Sequence, residues 1–185
     1  MRTSRLLAAL TLSALLTNAF ILPSFSFCAE KVRNSKVTLL QDHKYVDALI
    51  SGIRSAKREI TGCFFLFKVS DTHSSLPMAI VRELVAAKNR GVEVTIELEQ
   101  DAGKKRTVYE QNRRAASLMA DAGIKVRFDT PRTVTHVKAM VIDRRFLYVG
   151  SHNLTQSALK YNNELSVMID SPELSEEVLS YLNNL

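Results

Sequence analysis

The sequence predicts an α/β protein in which one mixed β-sheet is flanked by helices, within a single domain. Three observations point there. Strand-length apolar runs alternate with helix-period segments through the first half of the chain, and strand-like runs crowd the second half. The chain has 185 residues, 46% of them apolar and 24% charged, which is the composition of one ordinary globular core.

Lys36–Leu40 reads as the first strand. "DHKYVDALISGIRSAKRE" follows, with Val46, Leu49, Ile50 and Ile53 at helical spacing and Asp42 placed to cap the helix. Ile60–Phe67 is a continuous apolar run, hence a strand buried on both faces. After the polar loop "SDTHSSL", Pro77 opens a helix that runs to Arg90, with Gly91 as its stop. "VEVTIEL" alternates as a strand, "TVYEQNRRAASLMADAG" is a helix ended by Gly123, and "IKVRF" is the next strand. "HVKAMVID" and "FLYVG" form two strands around a turn at Arg144–Arg145. "NELSVMID" is a further strand, and a last helix starts with Ser171 as cap and Pro172 in its first turn. No repeat, low-complexity tract or long linker breaks the chain after residue 35.

Residues 1–29 stand apart. Arg2 and Arg5 precede an apolar run, Leu6 to Leu22, and then Pro23 and "SFSFCAE", the layout of an export signal cleaved near Cys28 or Ala29. The reading is a secreted or periplasmic protein, with residues 30–185 as the catalytic domain. Lipidation of Cys28 and retention of the run as an uncleaved membrane anchor are the alternatives, and the run falls short of the ~20 apolar residues of a full span. Loss of this segment removes Arg2, Arg5 and no acid, so the formal charge falls from +6 to +4. A mildly basic body favours polyanions, although a solvated lysine-rich surface gives the same count. Cys63 is then alone on an apolar strand and reads as a buried thiol with no disulfide.

The chemistry concentrates in "HVKAMVIDRRFLYVGSHN", residues 136–153. His136 and Lys138 are two apart on a predicted strand and so share a face, while Val137 and Ala139 turn to the core. A lysine on a largely buried face is expensive unless an anion meets it. Gly150 permits close approach, and Ser151 and Asn153 add neutral hydrogen-bonding groups. Together these residues suggest a phosphate cradle with one titratable imidazole.

The spacing His136-x-Lys138, four residues, Asp143, six residues, Gly150-Ser151-x-Asn153 resembles the phospholipase D superfamily at every gap. The mature body resembles that superfamily's short secreted endonucleases and its mitochondrial cardiolipin hydrolases. The resemblance implies a phospholipase D-like α/β sandwich that needs no metal and no cofactor. It implies that His136 is the nucleophile, forming a phosphohistidine, or the general acid, and that Lys138 and Asn153 hold phosphoryl oxygens. Glu164, eleven residues past Asn153, matches a carboxylate that orients a histidine. Asp143 belongs to the catalytic motif, with a role expected in supporting its turn. In-line displacement at phosphorus wants a nucleophile on one side and a proton donor on the other. One chain carries one such motif, so a homodimer with a composite site is expected.

Other residues carry weaker signals. Lys105, Tyr109 and Arg113 fall on one helix face and form a candidate substrate-binding stripe for nucleic acid; the alternative is a solvated face with Glu110 paired to Arg106 and Arg114. His152 holds the unspecified place of the Gly-Ser-x-Asn segment, and His43 and His73 read as solvated. The carboxylates do not cluster in magnesium fashion, and His and Cys lack zinc spacing. The expected function is a metal-independent endonuclease cutting DNA or RNA, with phospholipase action on phosphatidyl lipids or a silent binding relative as alternatives.

Overall fold

The structure is a computed structural model that describes residues 35–72, 74–100, 107–130 and 133–185. The leader-like segment with Cys28, and His73, Lys105 and Arg106, lie outside the described residues. In chain order the elements are β1 (Lys36–Gln41), α1 (Lys44–Ser55), β2 (Glu59–Phe64), α2 (Leu76–Asn89), β3 (Glu93–Leu98), α3 (Thr107–Asp121), β4 (Lys125–Phe128), β5 (Lys138–Ile142), β6 (Phe146–Gly150), α4 (Gln156–Lys160), β7 (Leu165–Asp170) and α5 (Pro172–Leu182). The seven strands make one mixed sheet in the order β1-β7-β6-β5-β2-β3-β4.

The predicted α/β sandwich is what forms. β2, β3 and β4 are parallel, and α2 and α3 supply the crossovers that parallel neighbours require. The other pairs are antiparallel, including the β5–β6 hairpin. Strand alternation divides the sheet into two buried faces. Ile60, Phe64, Ile96, Met140 and Ile142 pack with α1, α2 and α3, while Ala139, Val141 and Leu147 pack on Leu179 of α5. β5 is buried at every position because it lies at the centre of both layers.

The caps explain where the helices start. Ser75 Oγ accepts from Met78 N, and Ser171 Oγ accepts from Leu174 N, each beside a first-turn proline. Gly91 and Gly123 take φ of 91° and 78°, the left-handed turn that stops α2 and α3. Three local expectations are corrected. Asp42 does not cap α1; it has φ 50° and its carboxylate accepts from Glu164 N at 2.9 Å, while His43 occupies the cap position without a side-chain bond. The hairpin turn centres on Asp143 and Arg144, both at φ 55°, one residue earlier than expected, which is the positive-φ pair that tight hairpins favour. β5 starts at Lys138, so His136 precedes the strand instead of lying on it.

Candidate active site

The carboxyl ends of β1, β2 and β6 and the amino ends of β5 and β7 meet at one end of the sheet, as the pairs Phe64↔Lys138, Gly150↔Ser166 and Gln41↔Leu165 require. His136 is exposed there, with its ring 4.6 Å from that of Phe65 at 58°. Lys138 is only 6% exposed. Its Nζ donates to the His136 carbonyl at 2.8 Å and lies 5.1 Å from the centroid of the Phe65 ring. Among the described residues no carboxylate is within ion-pair distance of it. Burial pushes the Lys138 pKa down, against an opposing pull from Glu164 and Cys63. Partial desolvation and then the Lys138 charge also hold His136 below the ordinary histidine value, so its imidazole favours the neutral, nucleophilic form.

β6 brings the second half of the motif back to this end. Gly150 faces Ser166 so closely that a Cβ would overlap the Ser166 backbone, which is the reason for glycine there. Ser151 Oγ accepts from Leu165 N at 3.0 Å and bonds the Glu164 carboxylate. Asn162 Nδ2 donates to the other Glu164 oxygen at 3.0 Å. Asp42 closes the arrangement, since its N donates to Glu164 O at 3.0 Å and its carboxylate takes the Glu164 N–H. Glu164 is thus held by Ser151, Asn162 and Asp42, and it acts on Lys138 through space. Asn153 is half-buried, and its Oδ1 is buried without a hydrogen-bond partner. A half-turn of the amide would present a donor at the same point.

His152 turns inward. It is fully buried, stacks on Tyr45 at 4.3 Å and 10°, and Nε2–H donates to the Asp42 carbonyl at 3.0 Å. Nδ1 then accepts from the Ser166 hydroxyl at 2.7 Å, and burial keeps the ring's pKa low. Cys63 is a buried free thiol, pushed up to about 12 by burial.

Two expected site residues lie elsewhere. Asp143 is at the far end of β5, in the hairpin turn, where its carboxylate accepts from the backbone N–H of Lys57, Arg58 and Glu59 at 2.9, 2.8 and 3.1 Å. It therefore supports the turn and does not join His136. Arg113 is exposed and pairs with Glu110 at 3.2 Å, Arg114 pairs with Asp71, and the Tyr109 ring packs edge-on against Phe128 at 5.1 Å. The expected stripe is thus not a free stacking surface, and Lys105, its third member, is outside the described residues.

Three residues that the sequence did not single out shape the site. Fully buried Asn112 donates from Nδ2 to the carbonyls of Phe65 and Glu99, both at 2.9 Å, and accepts from Phe67 N at 2.7 Å. Its signal was legible: it is a polar residue on the apolar stripe of α3 with Ala115, Ala116 and Met119. The buried Glu99 carboxylate takes the N–H of Thr135, one residue before His136. Phe65 follows β2, and no periodicity marks it out within an apolar run.

A family model described as "Cardiolipin synthase, PLD-like domain" matches residues 49–185. Among curated proteins, a phospholipase D from Rickettsia prowazekii is 35% identical over 107 residues, taking in 57% of this chain and 47% of its own. The chain spans about half the length of the curated relatives it matches. Among solved structures, the phospholipase D family member Nuc from Salmonella typhimurium superposes with a TM-score of 0.67 and 27% identity, over 82% of this chain and 93% of that one. NucT from Helicobacter pylori shares the fold with a TM-score of 0.62 at 20% identity, over 82% and 95%.

Proposed function

Because this chain belongs to the phospholipase D superfamily, we propose that it is a phosphodiesterase, working without a metal as a homodimer, whose substrate is DNA or RNA. One observation carries the reading: a buried ammonium, Lys138, has only neutral bonding partners and sits beside an exposed, preferentially neutral imidazole. An anion is the missing counter-charge. At an effective dielectric of 20, one unit charge about 4 Å from that ammonium contributes ~4 kcal/mol before desolvation.

The chemistry follows from these groups. His136 attacks phosphorus, a P–N bond forms, and the P–O bond to the leaving alcohol breaks. A second histidine gives that oxygen its proton. Water then attacks the phosphohistidine, and the second histidine, now a base, takes the water's proton, which releases a phosphate monoester and restores His136. Lys138 and the Asn153 amide hold the phosphoryl oxygens as charge builds on them. Among the described residues no group of three or more His, Cys, Asp or Glu is arranged to hold a metal ion.

His152 is committed to the core and the chain carries one copy of the motif, so we assign the second histidine to His136 of another copy. A surface suits that copy. Val37, Leu39 and Leu165 are 57%, 53% and 54% exposed on the α5 side of β1 and β7, next to Glu164. An isologous contact there would double the residues near the axis.

The mildly basic body favours a polyanion over a neutral surface. The Rickettsia relatives, named phospholipase D, support a second reading, a phosphatidyl lipid as substrate. We assign the protein to the secreted or periplasmic space on its leader-like segment; no described helix is long and apolar enough to cross a membrane. The test is parallel incubation of the purified protein, with EDTA present, against plasmid, single-stranded oligonucleotide, RNA and cardiolipin vesicles. Cleavage of nucleic acid that His136→Ala abolishes is expected. Turnover of vesicles alone would replace the nuclease reading with the lipid one, and His136→Ala retaining activity within tenfold of the parent would overturn the mechanism.

A further inference from the structure

Phe65 touches both halves of the reactive pair. Its ring meets the His136 ring at 4.6 Å, and the Lys138 ammonium lies over it at 5.1 Å. The backbone fixes that ring to the motif. Phe65 N donates to the carbonyl of Val137, the residue between His136 and Lys138, at 2.9 Å, and Phe65 O accepts from buried Asn112. The ring therefore moves with the reactive residues and not with the loop that follows β2.

We propose that Phe65 is a positioning residue for the phosphoryl site: its ring, tilted against the His136 imidazole, orients that group and serves as the neutral partner of the buried Lys138 ammonium, leaving that charge without an ion-pair partner until a phosphate arrives. The inference rests on the reading of this end of the sheet as a phosphate site. A carboxylate beside Lys138 would satisfy the cation in the empty protein and would have to be displaced by every incoming anion. A ring quadrupole attracts the cation more weakly and without a formal charge. Of the carboxylates near the pair, Glu164 acts on Lys138 but is already engaged by Ser151 and Asn162, and buried Glu99 is engaged by the N–H of Thr135. An aliphatic side chain of similar bulk would occupy much of the space but would offer neither the rigid tilted ring contact to the imidazole nor a face for the ammonium.

The test compares Phe65→Leu, Phe65→Met and Phe65→Tyr with the parent by NMR titration of the His136 ring against pH and against inorganic phosphate. Turnover of bis(p-nitrophenyl) phosphate is read alongside. The aliphatic variants are expected to bind phosphate about tenfold more weakly, and their His136 pKa should move up towards the ordinary histidine value, because a flexible aliphatic chain shields the imidazole from water less than the rigid ring does. Turnover should fall by a similar factor, and Phe65→Tyr should restore all three to within threefold. Two aliphatic variants are included because one of them can fail to fold. Unchanged phosphate affinity and an unchanged His136 titration in a folded aliphatic variant overturn the inference. So does Phe65→Tyr behaving like Phe65→Leu, since the aromatic face would then be irrelevant. A parent that binds phosphate as described yet cleaves no diester overturns the proposed function and leaves this inference standing.

Discussion

Asp143→Ala is expected to weaken the fold and spare the chemistry, although Asp143 belongs to the same motif as His136. Its carboxylate accepts three backbone N–H groups, from Lys57, Arg58 and Glu59. A hydrogen bond to a charged group contributes ~1.5–3 kcal/mol. Lys57 and Arg58 are exposed, so water replaces part of what is lost, and about 2–3 kcal/mol in all is a reasonable sum. For a domain of this size that lowers Tm by roughly 4–10 °C. Burial pushes this carboxyl up, but the three N–H groups and the Arg58 charge outweigh it and hold the pKa below the usual range. A depressed folded pKa means that the stabilisation is complete above the unfolded value, ~3.9, and is lost as pH falls through the folded one. The gap between parent and variant should therefore hold from pH 7 to about pH 5 and close towards pH 3. The site lies far away. Asp143 is five residue steps along the strand from Lys138, about 17 Å. At that distance a unit charge in water is worth ~0.2 kcal/mol, before screening over a Debye length of about 8 Å. That is less than a twofold rate effect. Thermal melts across pH, with diester turnover at 20 °C where both proteins are folded, give the answer. An unchanged Tm with a rate at least tenfold lower would refute the assignment of Asp143 to the turn.

Two further outcomes follow from the buried groups. Lys138→Met removes a desolvated ammonium that has no carboxylate partner, so Tm should stay level or rise, by up to ~1–2 kcal/mol in stability, while turnover falls about 100-fold or more; a large loss of Tm would contradict the neutral-partner picture. His152 is neutral in the fold, and its lowered pKa gives the sign: stability is complete above the unfolded value, about 6.5, and declines as pH drops below it because the unfolded chain takes up a proton that the folded ring resists. Exposed His136 adds a smaller effect of the same sign. Urea midpoints at pH 7.5 and 5.5 should therefore differ more in the parent than in His152→Gln, and equal differences would remove His152 as the cause.

The framework of the fold was legible because strands and longer helices advertise themselves by period. All seven strands and the four longer helices fall where apolar spacing and stop signals place them. α4 escaped because five residues are too few to show a helical period, although Thr155 caps it by accepting from Ala158 N. Tertiary bonds defeated the remaining local readings. Asp42 looks like a helix cap, but its partner is Glu164, 122 residues away. Tyr109 and Arg113 do share a helix face, yet no spacing rule shows that Phe128 will cover the tyrosine ring. Within the site, residue types and gaps pointed to His136, Lys138, Ser151, Asn153 and Glu164, which the fold gathers at one end of the sheet. Phe65, Asn112 and Glu99 were missed because what they do depends on which strand ends become neighbours.

The hairpin gives the motif's arithmetic a mechanical meaning. The four residues between Lys138 and Asp143 measure the outward leg, and the six between Asp143 and Gly150 measure the turn and the return leg. Adding or deleting one residue in either leg would rotate every later side chain through half a revolution, so that the ammonium or the amide pointed away from the shared target. Length along this ribbon is thus under the same constraint as the groups proposed to react at its tips. Shortening either leg by a single residue should silence the protein as completely as removing the imidazole.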